Sequence, residues 1–218
     1  MTASDIDLEQ ADRLLTTTKQ VRKRLDLHRP VPRELLLDCI DVAQHAPMGG
    51  NLERNRWLVV DDPELKGALA EVYQRVGRPY IEANQAAGAG DDPTQRKVMD
   101  SAMFLIDHIA EVPAMVIAVR LDRLPAGAAN ADVAAYHGSV APGVWSFQLA
   151  ARARGLGSAW TTFHLVHEEE VAELLGIPAT VTQVALLPVG FYTGEGFTPA
   201  PRRPAREITY FNRWKATT

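Results

Sequence analysis

Apolar residues along this chain recur with helical spacing in some stretches and as short continuous runs in others. Behind the candidate caps Ser4 and Asp5, the positions Ile6, Leu8, Ala11, Leu14 and Leu15 predict an amphipathic helix over residues 4–16. The pattern is stronger after Pro32, where Leu35, Leu36, Cys39, Ile40, Val42 and Ala43 fall on or near one face. Ala46-Pro47-Met48-Gly49-Gly50-Asn51 ends that helix, because the glycines and Asn51 tolerate backbone conformations that β-branched residues do not. Trp57–Val60 is a compact apolar run closed by Asp61-Asp62-Pro63 and predicts a buried strand.

Helical spacing resumes from Glu64 to about Arg75 and again from Thr94 to Ala110, with the Ala/Gly/Asp-rich segment Ala86–Pro93 expected as a surface loop between them. Ala114–Val119 is the clearest strand. Ala131–Arg154 predicts one long helix, apolar on most faces, with Pro142 and Gly143 able to kink it. A helix apolar nearly all round belongs in a core or a subunit interface. After Gly155-Leu156-Gly157-Ser158 come a short strand at Trp160–Phe163, a helix from His167 to Leu175 and a strand over Val181–Val189. The tail from Pro199 is rich in Pro and Arg and then aromatic, at Tyr210, Phe211 and Trp214. Three or four strands among about six helices predict an α+β or α/β fold, expected as one domain over residues 1–218.

Composition narrows the function classes. With 23 Lys+Arg against 27 Asp+Glu, the net charge of -4 argues against nucleic-acid binding by bulk charge. No apolar run reaches the length of a membrane span, and residues 1–5 lack the basic and apolar regions of a secretory signal, so a cytoplasmic protein without a membrane partner is expected. The single Cys39 excludes an intrachain disulfide and a cysteine-based zinc cluster.

The common catalytic motifs are missing. There is no P-loop, Gly155-Leu156-Gly157 ends a helix instead of opening one, and Ser139 lacks the second glycine of a nucleophile elbow. His164 and His167 have no evident third ligand, so capping and solvation account for them and no metal site is expected. The acidic run Glu168–Glu170 suits a helix N-terminus. Three stretches remain: the basic cluster Lys19, Arg22, Lys23 and Arg24, the Pro-Met-Gly-Gly-Asn loop, and Arg202-Arg203. Convergent basic side chains with a glycine-rich loop suit a phosphate beside a polar ring system.

In order and spacing these stretches resemble the nitroreductase family. Thr18-Lys19-Gln20-Val21-Arg22 stands where the family has Arg-Arg-Ser-x-Arg, with Thr18 and Gln20 as departures. Ala46–Asn51 resembles its Ala-Pro-Ser-Gly-x-Asn loop, with Met48 for the serine. Leu149–Thr162 resembles the helix followed by Gly-Leu-Gly-Ser, and Leu186–Gly190, Pro201–Pro204 and Phe211–Trp214 resemble its last strand and tail. The resemblance implies a three-layer α+β fold, with a mixed central sheet flanked by helices, in an intertwined homodimer holding FMN at its interface. It implies that Lys19, Gln20 and Arg22 approach the flavin phosphate or ring, and that Arg202 and Arg203 approach the phosphate. Pro47, Met48, Gly49 and Asn51 would meet the ring or ribityl chain from the other subunit. Trp160 would lie beside the ring, with Thr161 and Thr162 presenting backbone amides to its edge.

The function that follows is an FMN-dependent NAD(P)H oxidoreductase. A hydride from NADH or NADPH would pass to the flavin and then, in a ping-pong sequence, to a small electron-poor acceptor such as a nitroaromatic or quinone. No side chain is expected as a general acid or base, and Arg22 is expected to supply positive charge beside the flavin ring. One alternative is a family member that binds or sequesters FMN with little or no turnover, and another keeps the fold but changes the chemistry to flavin-dependent oxygen chemistry or dehalogenation.

Overall fold

The computed structural model describes residues 5–89 and 91–215. In chain order its elements are α1 (Leu8–Thr17), α2 (Arg33–Gln44), β1 (Asn55–Val60), α3 (Pro63–Asn84), α4 (Pro93–His108), β2 (Ala114–Arg120), α5 (Asn130–Gly138), α6 (Ala141–Ala153), β3 (Leu156–Ser158), α7 (Glu168–Leu175), β4 (Thr182–Phe191) and α8 (Ala205–Ile208). Short helical turns lie at Gly49–Asn51, Gln85–Ala89, Ile109–Glu111 and Phe163–His167. The chain forms two compact units, Lys19–Glu195 and a smaller one made of Met1–Thr18 with Gly196–Thr218.

The larger unit is built on a four-stranded sheet in the order β1-β2-β4-β3. The named strands pair antiparallel, with Trp57 opposite Ala118, Val116 opposite Leu187 and Gly157 opposite Gly190. Parallel pairing enters at one isolated bridge, Gln20 with Ser158. All seven residues of β2 are buried, which requires cover on both faces of the sheet. On one face Ala114, Val116 and Ala118 join Leu36, Cys39 and Ala43 of α2 and Val144, Phe147 and Ala151 of α6 in a single core. The alternate residues Met115 and Ile117 are fully buried on the other face, the side of α3 and α4, whose Leu69, Tyr73, Leu105 and Ile106 are also fully buried. At about 25 cal/mol per Å² of apolar surface, such two-sided burial is the main stabilising term. Cys39 lies within the first core, where burial pushes its thiol up to about 11, so it packs as a small hydrophobe.

Several elements differ from the sequence expectation for identifiable reasons. The apolar stretch read as one helix is two, α5 and α6, because Pro142 lacks the N–H that would continue the ladder. The break holds Ser139, whose Oγ donates to the Ala135 carbonyl at 2.8 Å and accepts the Gly49 amide at 3.0 Å. The helix expected to stop near Arg75 instead continues as α3 to Asn84, with Pro79 inside it on an exposed turn. Residues 85–89 are a wide helical turn and not a loop, with Gly88 at φ 90°, while Gly90 lies outside the described residues. The strand after the glycines is Leu156–Ser158, and Trp160–Phe163 keeps only a bridge from Thr161 to Leu186.

In the smaller unit, Asp7 caps α1 by accepting the Gln10 amide at 3.1 Å, while Ser4 lies outside the described residues. The tail carries α8 and an aromatic pair, Tyr210 and Trp214, with ring centroids 5.0 Å apart. Trp214 is 80% exposed, as are the faces of Leu8, Ile208 and Phe211 to lesser degrees.

Candidate active site

The segment before α2 is strapped along the sheet edge. The Val21 amide donates to the Ser158 carbonyl at 2.8 Å, and Val21 packs so closely on Gly157 that a Cβ there would lie 2.8 Å from its side chain. A glycine is therefore what allows the strap to approach β3. Gln20 is fixed in the same place. Its Oε1 accepts the Trp160 amide and lies 3.5 Å from Nε2 of the buried Gln148, which donates to Ser158 Oγ at 3.2 Å. The basic residues of the strap then diverge. Arg24 donates from Nε to the Thr193 carbonyl at 2.7 Å and ties down the end of β4. Arg22 turns into a cavity.

That cavity has a volume of about 460 Å³. Arg22, Trp160, Thr161 and Thr162 line one part, and Tyr73, Val76 and Tyr80 of α3, Ala102 of α4, and Phe163 and Val166 of the following turn line the rest. The Phe163 ring sits between Tyr73 and Tyr80, at centroid distances of 5.2 and 5.4 Å. Gly77 makes room for it: a Cβ there would lie 2.8 Å from the Phe163 ring and 3.0 Å from Ile106. The walls are aromatic and suited to a planar ring.

Electrostatics single out Arg22. Burial lowers its pKa below the ordinary arginine value, and the neighbouring Tyr73 raises it only in part. Among the described residues no carboxylate forms an ion pair with it. An arginine stays ionised under such pressure, so the cavity holds a cation without a counter-charge and favours an anionic or electron-rich partner. Tyr73 is pushed up to about 12, chiefly by burial and against the lowering effects of its hydrogen bond with Thr161 and of Arg22, so it remains a neutral phenol.

The structure brings Arg22, Trp160, Thr161 and Thr162 together. The Thr161 amide is already used, because it donates to the Leu186 carbonyl at 2.9 Å while Thr161 Oγ1 donates to the same oxygen at 2.9 Å. Lys19 and Gln20 flank this wall along the strap without lining the cavity. Pro47, Met48, Gly49 and Asn51 do not line it either. Their loop is a turn with Gly50 at φ 62° and Asn51 at φ 52°, anchored to Ser139 and followed by Asn55, whose Nδ2 donates to the Ser139 carbonyl at 2.9 Å. Arg202 and Arg203 belong to the smaller unit and are exposed, with Arg202 donating to the Pro201 carbonyl at 2.9 Å. Sequence reading missed the α3 face. Tyr73, Val76 and Tyr80 keep the spacing of one helix face, a signal hidden by ending the helix before Pro79. Among the described residues no group of three His, Cys, Asp or Glu could hold a metal ion, and no helix is long and apolar enough to cross a membrane.

An antiparallel sheet between helical layers, with an aromatic cavity beside its edge strand and one arginine in that cavity's wall, defines an α+β protein of the three-layer kind. The chain belongs to the Nitroreductase family, whose profile matches residues 20–191. It is similar to the iodotyrosine deiodinase of Thermotoga neapolitana, with 25% identity over 194 residues that cover 89% of this chain and 93% of the relative. It is also similar to the crystal structure of oxidized iodotyrosine deiodinase bound to FMN and 3-iodo-L-tyrosine, with 25% identity, a TM-score of 0.67, and coverage of 92% of this chain and 98% of that one. A nitroreductase-like family protein from Bacillus cereus shares the fold at 17% identity and a TM-score of 0.67, with 96% of this chain and 98% of that one covered.

Proposed function

We propose that this protein is an FMN-dependent oxidoreductase that uses NADH or NADPH to reduce a small electron-poor aromatic acceptor, and that it works as a homodimer. The single observation that carries the reading is Arg22, a half-buried cation without a described counter-anion on the wall of an aromatic cavity. The fit is chemical: a flavin offers a planar ring for the aromatic walls and an oxygen-rich edge for the guanidinium. The similar iodotyrosine deiodinase structure, at 25% identity, holds bound FMN.

When bound, FMN would supply the hydride chemistry of the site. The chain supplies position, charge and exclusion of water. Arg22 favours negative charge at the ring edge, and does so more strongly in a partly buried site than it would in water. The strap of Gln20 and Val21 on Ser158 and Trp160 fixes where that charge stands. Tyr73, Tyr80 and Phe163 would pack against a bound ring, and Tyr73 holds its proton. The family resemblance would give Lys19 a place at the phosphate or ring, Arg202 and Arg203 a place at the phosphate, and Pro47, Met48, Gly49 and Asn51 a place at the ring and ribityl chain bound by the partner subunit. The exposed aromatic tail, with Trp214 80% exposed, supports assembly with a second copy. A free, buried cysteine suits a cytoplasmic setting.

The test is an absorbance spectrum of the purified protein followed by anaerobic addition of NADH or NADPH. The reading expects a flavin spectrum that bleaches with either donor and recovers when an acceptor is added. A bound flavin that neither donor bleaches would leave a protein that holds FMN without turnover. A protein that takes up no FMN would overturn both readings.

A further inference from the structure

We infer that Gln148 is a positioning residue that holds Gln20 against the Trp160 amide and so fixes the strap that carries Arg22. The consequence for the cofactor rests on the reading of this cavity as the flavin site.

Gln148 lies on α6 among the buried apolar residues Val144, Phe147, Ala150 and Ala151 and is only 2% exposed. A polar amide in such a place is costly unless both of its ends are bonded. Here one end is bonded and the other is not. Nε2 donates to Ser158 Oγ at 3.2 Å and reaches Gln20 Oε1 at 3.5 Å. Oε1 is buried with no hydrogen-bond partner among the described residues. Gln20 dictates this orientation. Its Oε1 already accepts the Trp160 N–H, so the atom that faces it from α6 must be a donor. Turning the Gln148 amide over would set two oxygens against each other.

For packing alone, an unbranched apolar side chain of similar length serves this place as well and leaves no acceptor unmet. What the amide adds is a second fixed point for Gln20. Gln20 is exposed, and a long exposed side chain otherwise samples several rotamers. Held between the Trp160 N–H and the Gln148 amide, it keeps one. Arg22 follows on the same strap and thereby keeps its place on the wall with Trp160 and Thr161. Gln148 itself does not line the cavity, so it acts through Gln20.

The experiment compares the parent with Gln148→Met, Gln20→Ala and the double variant. Gln148→Leu is carried alongside, so that a packing fault peculiar to one apolar shape is recognised. Amide hydrogen exchange is measured first, on the proteins as purified. Both Gln148 variants are expected to speed exchange at Trp160 about tenfold or more relative to Val116 and Ile117 of β2, whose amides report the stability of the whole fold. FMN is then titrated and followed by its fluorescence. Q148M is expected to bind it about fivefold or more weakly, and the double variant to match Q20A within about twofold, because both substitutions remove one contact. Exchange at Trp160 that changes only in step with β2 makes Gln148 a packing residue and overturns the inference. So does FMN affinity that Q148M leaves unchanged, or a loss that is fully additive in the double variant. A parent protein that takes up no FMN defeats the reading of the cavity as a flavin site, whereas the exchange result still decides whether Gln148 holds Gln20.

Discussion

The side-chain carbonyl of Gln20 accepts the backbone N–H of Trp160, joining two segments 140 residues apart at the wall of the cavity. With the Val21 amide bonded to the Ser158 carbonyl beside it, this contact ties the strap that carries Arg22 to the segment that carries Thr161 and Thr162.

Gln20→Ala removes that acceptor. A neutral hydrogen bond of this kind contributes about 0.5–1.5 kcal/mol net, so Q20A is expected to lose about 1 kcal/mol of unfolding free energy and to loosen FMN. Gln20→Glu keeps an oxygen in place and is expected to hold stability near the parent value. Urea midpoints for the three proteins check this. Equal midpoints for Q20A and the parent would show that the bond is immaterial to the fold.

Gly77→Ala is expected to destabilise the protein by about 1–3 kcal/mol, the usual range for overpacking. The added Cβ would stand 2.8 Å from the Phe163 ring, which is flanked by Tyr73 and Tyr80 and has little room to yield. Better helix propensity returns at most about 1 kcal/mol. A fall in the thermal midpoint is the expected result, and a rise would mean that Phe163 moves aside freely.

Much of this arrangement is legible in the sequence, and the remainder has physical causes. The apolar runs at Trp57–Val60, Ala114–Val119 and Val181–Val189 announce β1, β2 and β4, because a strand covered on both faces is apolar at nearly every position. Arg22, Trp160, Thr161 and Thr162 were candidates from the resemblance, and they do share a cavity. The cavity's opposite wall was not legible. Pro79 is a local stop signal that tertiary packing overrides, and a helix expected to end near Arg75 leaves out Val76 and Tyr80. Likewise Pro142 looked like a kink inside one helix, whereas the Ser139 bonds to Ala135 and Gly49 are long-range partners that no periodicity can reveal. The partner of Gln20 Oε1, a backbone amide far along the chain, is likewise a long-range contact that the sequence pattern does not show.

Stability should fall with pH through the range that titrates His164. This imidazole is fully buried, both ring nitrogens lack a hydrogen-bond partner among the described residues, and burial lowers its pKa to about 4 despite the opposing effect of Glu168. Below about 6.5 the unfolded chain accepts a proton that the folded chain refuses, so the native state loses ground until the pH reaches about 4. The full effect is on the order of 3 kcal/mol, of which about 2 kcal/mol is expected between pH 6.5 and pH 5. The carboxylates of Asp61 and Asp122 are held low by hydrogen bonds from Arg33 and Arg120, so their contribution is lost at more acidic pH. Unfolding curves at pH 7 and pH 5 for the parent and for His164→Leu check the assignment. The variant is expected to flatten the difference, and an equal loss in both would place the titrating group elsewhere.

Arg22→Ala and Arg203→Ala are expected to fail in different ways. Arg203 is exposed and assigned to the phosphate, which carries the same charge whether the flavin is oxidised or reduced. Its loss should weaken FMN binding by roughly 1–3 kcal/mol, the worth of a charge-assisted hydrogen bond, and leave the rate of flavin reduction unchanged once FMN is saturating. That is uniform binding, which holds the ground state and the transition state equally. Arg22 is half-buried on the cavity wall beside Tyr73, with no described counter-anion. Its attraction for the ring grows as negative charge develops there, so it acts differentially. R22A should therefore slow reduction by NADH or NADPH about tenfold to a hundredfold even at saturating FMN, equivalent to roughly 1.4–2.7 kcal/mol of barrier. Stopped-flow reduction measured beside FMN affinity separates the two effects. If R22A loses affinity alone and reduces at the parent rate, both arginines serve the phosphate and the ring does not lie against the wall formed by Trp160 and Thr162.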